Sequence, residues 1–192
     1  MTGPRLVGAA TLAAGARVTA AGLAREALAP YYDMLPVEDA PLLAVLADEM
    51  DDVSTELGAG QVALVDDAVA GLLVAYPAAE LRARQQASLF HLLRASPDES
   101  DDILAAAEKQ ALSVPPVSGD AYYLARFAVA SALRGTGVAD ALLLALADAV
   151  PEAAPLALHV HRDNLRAIAF YRRLGFVRSD DGDLPFHAYL RS

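Results

Sequence analysis

"FAVASALRGTGVADALL", residues 127–143, reads as three pieces: an apolar run suited to a buried strand, a turn holding Arg134, Gly135 and Gly137, and a helical pattern from Val138 onward. A helix N-terminus leaves about four backbone N–H groups without intrahelical partners and carries a partial positive charge, so it attracts anions. Gly135 and Gly137 strip side chains from the place where those donors would face a ligand, and Arg134 adds a full charge. The same glycines would equally serve a plain strand-to-helix turn that needs only their dihedrals. This segment alone leaves the two readings level.

The spacing excludes the commoner nucleotide loops. A dinucleotide fingerprint counted from Gly135 would put Asp140 at its last position, where a carboxylate repels pyrophosphate, and no Gly-Lys-Ser/Thr follows. What remains is Arg-x-x-Gly-x-Ala, Arg134 to Ala139. Charge placement supports a polyanion here. No acid lies between Ala121 and Ala139, and between Pro155 and Arg178 the sole acid is Asp163 among Arg162, Arg166, Arg172, Arg173 and Arg178. In a chain of formal charge -10 this is a local reversal.

The second informative stretch is "LHVHRDNLRAIAFYRRLGF", residues 158–176. It predicts a strand, an Asn164 N-cap, a short amphipathic helix and a stop at Gly175. His159 and His161 alternate along that strand and Asp163 follows, which is also a metallohydrolase-like spacing. Such sites need a further histidine after the aspartate, whereas Asn164 stands there and only His91 and His187 remain elsewhere. No metal is expected.

Further out, "QVALV" and "AVAGLLVAY" flank Asp66-Asp67 as a predicted hairpin, with Gly71 marking a bulge or a close backbone approach. Residues 5–13 read as a first strand, and Thr19 as the cap of a helix broken at Pro30, leaving Tyr31 and Tyr32 exposed on a loop. Asp39 and Pro41 open a helix carrying Leu42, Val45, Leu46 and Met50. Residues 79–112 form two helices around Pro97, interrupting the strands, and "FHAYL" is the last strand. The order is α+β, in one domain over residues 1–192.

Composition narrows the chemistry. An acidic chain of 192 residues lacks the basic surface that displaces counterions from nucleic acid, but tolerates cationic small substrates. With no cysteine there is no disulfide, thiolate metal site or cysteine nucleophile, and no serine sits in Gly-x-Ser-x-Gly. No apolar run reaches the roughly 18 uncharged residues of a membrane span. The N-terminal apolar stretch after Arg5 runs on into a helix pattern rather than a secretory signal, so a cytoplasmic location is expected.

At these residues the sequence resembles the GNAT superfamily of N-acetyltransferases. Residues 127–143 look like that family's fourth strand, acyl-CoA loop and following helix; residues 158–176 resemble its second signature through Asn164, Ala167, Tyr171 and Gly175-Phe176. The hairpin with Gly71 resembles its second and third strands. Ser131 departs from a common proline, and residues 79–112 replace what is usually a short link between the third and fourth strands. The resemblance implies a mixed, mainly antiparallel central sheet flanked by helices, with 79–112 as a helical insertion that either walls the acceptor pocket or makes a homodimer contact.

It also implies roles. The backbone of Phe127, Ala128 and Val129 would pair with the pantetheine arm of acetyl-CoA, one N–H polarising the thioester carbonyl. Arg134 and the amides of Gly135, Thr136, Gly137, Val138 and Ala139 would hold the pyrophosphate. Asn164 and Ala167 would line the arm, Arg173 would reach a nucleotide phosphate, and Tyr171 would protonate the departing thiolate. Taken singly, Asn164 is as well explained as a cap, and Tyr171 as part of an apolar stripe with Ala167, Phe170 and Leu174. The implied reaction is direct transfer to a primary amine of a small molecule or peptide, without membrane or nucleic-acid partners. A non-catalytic acyl-CoA-binding module is the alternative. The base is unassigned among His159, His161 and Glu99, and Tyr31, Tyr32, Tyr122 and Tyr123 are candidates to line the acceptor pocket.

Overall fold

A computed structural model describes residues 3–191. Its strands are β1 (Arg5–Gly8), β2 (Gly60–Val65), β3 (Ala68–Pro77), β4 (Tyr122–Val129), β5 (Leu156–His161), β6 (Val177–Arg178) and β7 (Phe186–Arg191). The helices are α1 (Ala14–Ala27), α2 (Ala29–Tyr32), α3 (Asp39–Glu49), α4 (Leu81–Ala95), α5 (Ser100–Leu112), α6 (Val138–Ala149) and α7 (Leu165–Arg173). The strands make a seven-stranded sheet in the order β1-β2-β3-β4-β5-β7-β6. Every neighbouring pair is antiparallel except β4 with β5.

Two-residue alternation along the strands divides the core between the two faces of this sheet. Val62, Leu64, Leu72, Val74 and Tyr76 pack with α1 and α3, together with Leu92 of α4 and Ile103 of α5. Ala63, Ala70, Leu73 and Leu158 join Leu142 and Leu146 of α6 and Tyr171 of α7 on the other. The hairpin turn is as tight as the Asp66-Asp67 pair requires: both residues take positive φ, 49° and 61°, and Val65 pairs with Ala68.

Gly71 combines both of its expected roles. The β2–β3 register shifts beside it, at Ala63/Leu64, and a Cβ at Gly71 would come within 2.9 Å of Leu142, 3.0 Å of Val138 and 3.0 Å of the Ala128 carbonyl. The bare backbone lets α6 settle on β3.

A second irregularity makes the site. Val74 pairs with Arg126 and Ala75 with Leu124, so Ala125 is an extra residue in β4. On its other edge β4 pairs with β5 only from Tyr122 to Leu124, while β5 stays paired with β7 as far as His161. Beyond Leu124 the two parallel strands part, and a cleft opens between them.

The N-terminal third corrects the sequence reading. β1 is four residues long, and α1 begins at Ala14, so Thr19 lies inside the helix with its hydroxyl turned back on the Gly15 carbonyl. Tyr31 and Tyr32 form a one-turn helix instead of an exposed loop, and Tyr32 is buried, because Leu28 breaks α1 and Pro30 can start a new turn. β6, too short to show a two-residue pattern, escaped the sequence. Among the described residues no helix is long and apolar enough to cross a membrane.

Candidate active site

The fork between β4 and β5 leads into a cleft of about 1340 Å³, well above the roughly 300–1,000 Å³ of a drug-sized site. One edge is unpaired strand. Ala130 N–H bonds to the Ala70 carbonyl, so alternate β4 residues spend their main-chain groups on β3. Phe127 and Val129 therefore turn theirs toward the cleft, whereas Ala128, expected beside them on the arm, faces β3 opposite Leu72; the Val129 carbonyl accepts from Arg134 Nε at 3.2 Å. An extended ligand arm can continue the sheet there.

At one end of this edge stands α6. Gly137 is its N-cap in a left-handed conformation (φ 89°), and Gly135 is left-handed as well (φ 80°). A Cβ at either would meet nothing within 4 Å, so both glycines serve their dihedrals and the ground in front of them is open. The amides of Gly135, Gly137, Val138 and Ala139 have no main-chain acceptor among the described residues, while Thr136 N–H leans back on the Leu133 carbonyl at 3.4 Å. Arg134, Gly135 and Ala139 line the cleft; the Val138 side chain is fully buried and the Thr136 hydroxyl bonds the Leu133 carbonyl. Arg134 is also ion-paired with Glu26 of α1 at 2.9 Å, a surface contact that a phosphate can displace.

The facing wall is α7. Asn164 Oδ1 accepts from Ala167 N–H at 3.0 Å, a genuine N-cap, and Asn164, Ala167 and Arg173 all border the cleft. Phe170 stacks on Phe127 across the fork, ring centres 5.5 Å apart. Tyr171 is buried between the edges of Phe170 and Phe176, with no protein partner for its hydroxyl among the described residues. Burial, with Tyr123 nearby, pushes its phenol above the ordinary range, so it keeps its proton at neutral pH.

The other half of the cleft is walled by α2, α4, α5 and the segment after α5, so the 79–112 insertion does border the pocket. Its floor is a buried polar cluster. Glu56, 7% exposed, accepts from Tyr76 Oη and, at 3.1 Å, from Arg126, which is 6% exposed. Glu49, 2% exposed, lies close by, and burial pushes its carboxyl up to about 8 against a hydrogen bond from Ser88. Tyr31, pushed up to about 12 by burial, lines the same end. Gln110 Oε1, from α5, is buried there without a partner.

The histidines take distinct places. His159 is held between Tyr123 Oη at 3.0 Å and the Pro115 carbonyl at 2.8 Å, both ring nitrogens in use. His161 stacks edge-on against Phe186 with its Nδ1 3.7 Å from Asp163, and His91 pairs with Asp52 on α4's side of the molecule. Among the described residues no three histidine, aspartate or glutamate side chains gather as metal ligands. Glu99 lies outside the cleft, between α4 and α5. Glu56, Tyr76 and Glu49 were not singled out by the sequence. A signal for them existed in Arg126: a guanidinium inside the apolar run "YYLARFAV" must find a buried partner.

A strand with one free edge, a glycine-capped helix at its end and a protonated phenol beside the fork are features that a transferase drawing on an acyl carrier can use. The chain matches the acetyltransferase (GNAT) family model over residues 24–176 and belongs to that family. It is an acyl-CoA-dependent acetyltransferase, with acetyl-CoA as donor. An N-acetyltransferase from Staphylococcus aureus Mu50 shares the fold with a TM-score of 0.73 and 20% identity, over 97% of this chain and 100% of that one. The Corynebacterium glutamicum histone acetyltransferase HPA2 and related acetyltransferase aligns with a TM-score of 0.58 and 22% identity, covering 98% and 96%. A PaiA N-acetyltransferase from Thermoplasma acidophilum in complex with coenzyme A aligns at 0.55 and 14%, covering 100% and 99%. A search of curated protein sequences returns no match.

Proposed function

We propose that this enzyme moves the acetyl group of acetyl-CoA directly to a primary amine of a small molecule or peptide, within one domain over residues 1–192. The observation that carries this reading is the continuity of the cleft. It runs from the open amides of Gly135, Gly137, Val138 and Ala139, along the free edge at Phe127 and Val129, past Tyr171, and on between Tyr31 and the α4–α5 insertion. A donor lying along the first half places its thioester at the entrance to the second.

The residues divide the work accordingly. Arg134 and the α6 amides neutralise diphosphate charge, Arg173 adds to the field, and Asn164 and Ala167 close on the arm from α7. A free N–H of β4 polarises the thioester carbonyl. The amine nitrogen attacks the carbonyl carbon, the C–S bond breaks, and the sulfur takes a proton from the Tyr171 hydroxyl. Gln110, Glu56 and Tyr31 offer the acceptor hydrogen-bond partners.

The test is thiol release from acetyl-CoA against a panel of polyamines, amino-acid amides and peptides. Tyr171→Phe is expected to lower kcat about 10²- to 10⁴-fold, with the Kd for acetyl-CoA within threefold of wild type. Tight CoA binding with no thiol release from any amine would establish the silent-module alternative and remove the enzyme reading.

A further inference from the structure

The amine that attacks the thioester becomes cationic as the N–C bond forms, and its proton must go somewhere. Glu56 is poorly suited to take it. Its two oxygens already accept from Tyr76 and Arg126. Glu49 does not border the cleft. His161 has a free rim position but stands with Asp163 at the outer end of β5.

The Tyr123–His159 pair differs. Pro115 offers only a carbonyl, which can only accept, so His159 Nε2 carries the hydrogen of that 2.8 Å contact. The Nδ1 nitrogen is then a bare lone pair, and the Tyr123 hydroxyl, 3.0 Å away, is its donor. Tyr123 sits at the last paired rungs of β4 and β5, opposite Ala157, where the fork opens, and both side chains border the cleft. Its oxygen keeps lone pairs for a further proton.

Resting on the acetyl-transfer reading, we propose that Tyr123 and His159 form the proton relay that relieves the acceptor nitrogen, with the Pro115 carbonyl setting its direction. As the N–C bond forms, the nitrogen passes one proton to Tyr123 Oη while Tyr123's own hydrogen moves to His159 Nδ1, giving an imidazolium. The sulfur leaves with the C–S pair and takes the Tyr171 proton. The imidazolium returns its proton through Tyr123 and water to the Tyr171 phenolate, so amine plus thioester becomes amide plus thiol with nothing left over.

The surroundings suit this direction. Burial lowers the His159 imidazole pKa, against opposing effects of the Pro115 carbonyl and Asp180, so the ring is neutral at pH 7. Asp180 is held by Arg178 and the Ala188 amide, β7 sets the uncharged Ala188 opposite His159, and His187 lies beside that pair. Tyr76 and Tyr171 are the other phenols near Tyr123, neither is ionised, and the paired charges of Glu56 and Arg126 act on Tyr123 in opposite directions. Pro115 follows α5, so the inserted helices of this chain would orient a base on β5.

The experiment is a double-mutant cycle on the full chain with His159→Gln and Tyr123→Phe, read by kcat, the pH profile of kcat/KM and acetyl-CoA Kd. Each single change is expected to lower kcat about 10²-fold or more, to erase the acidic limb of the profile and to leave Kd within threefold. The double variant should be no slower than the worse single one, because the pair acts as a unit. Imidazole nitrogen NMR of the wild type should show His159 as the Nε2–H tautomer. Additive losses, a surviving acidic limb or the Nδ1–H tautomer would overturn the relay. If His159→Gln does not fold, Tyr123→Phe decides alone: an unchanged limb overturns it. Wild type that binds acetyl-CoA yet acetylates no amine overturns the transferase reading first, and the relay with it.

Discussion

The two halves of the cleft are built in different ways. The half proposed for the donor offers main chain: amides at the α6 N-terminus, the free edge of β4 and two left-handed glycines, all from residues 127–139. The half proposed for the acceptor offers side chains brought from far apart, with Glu56 from the segment before β2, Tyr76 behind it on β3, Arg126 from β4 and Gln110 from α5. A backbone site tolerates changes of side chain but not of dihedral angle. A side-chain cluster behaves in the opposite way, and its polar members are stable only while every partner is present.

Removing a partner on the acceptor side is therefore the severest break. Glu56→Ala leaves the Arg126 guanidinium buried without its carboxylate, and should cost about 3–5 kcal/mol in urea denaturation. Beneath α6, which carries the open amides, the largest effect is one of space. Gly71→Ala pushes a methyl into Leu142, Val138 and the Ala128 carbonyl, and should cost about 1–3 kcal/mol by lifting α6 off β3. Gly137→Ala meets no neighbour, so only its positive φ resists. Roughly 1–2 kcal/mol of stability should go, together with severalfold in acetyl-CoA affinity as the α6 amides tilt. A Gly137→Asn variant, whose side chain tolerates positive φ, should recover much of the Gly137→Ala loss, and a failure to recover would erase the distinction between space and dihedral.

The last difference is in pH dependence, which a change at constant pH does not show. Burial raises the Glu49 carboxyl from 4.5 to about 8, so the folded chain binds a proton that the unfolded chain releases. Its contribution is fully present below pH 4.5 and is lost as pH rises to about 8. Glu49→Gln should flatten the fall in thermal midpoint across that window and melt higher than wild type at pH 8. An unchanged slope would mean that Glu49 is ionised in the fold.

Legibility follows the same division. Residues 127–143 announced a strand, a glycine turn and a helix because each depends on neighbours in sequence, and Asn164, Gly175 and the Asp66-Asp67 turn were legible for the same reason. Thr19 misled because a capping residue type also fits inside a helix, where its hydroxyl returns to the preceding turn. Tyr31 and Tyr32 misled because their burial depends on where α2 docks. Glu56 carried no local mark at all.

The amino-acid order by itself determined the strand, the glycine turn and the helix of residues 127–143: propensity, capping and glycine dihedrals act over a few residues and need no partner from elsewhere. Only tertiary structure freed the β4 edge, through the Ala125 bulge and the parting of β4 from β5, and only tertiary structure brought the remote side chains of the other half together, with the insertion carrying Pro115. Hydrogen bonds and ion pairs of that kind act over about 3 Å in space whatever the separation in sequence, which is why the chain conceals them until it folds.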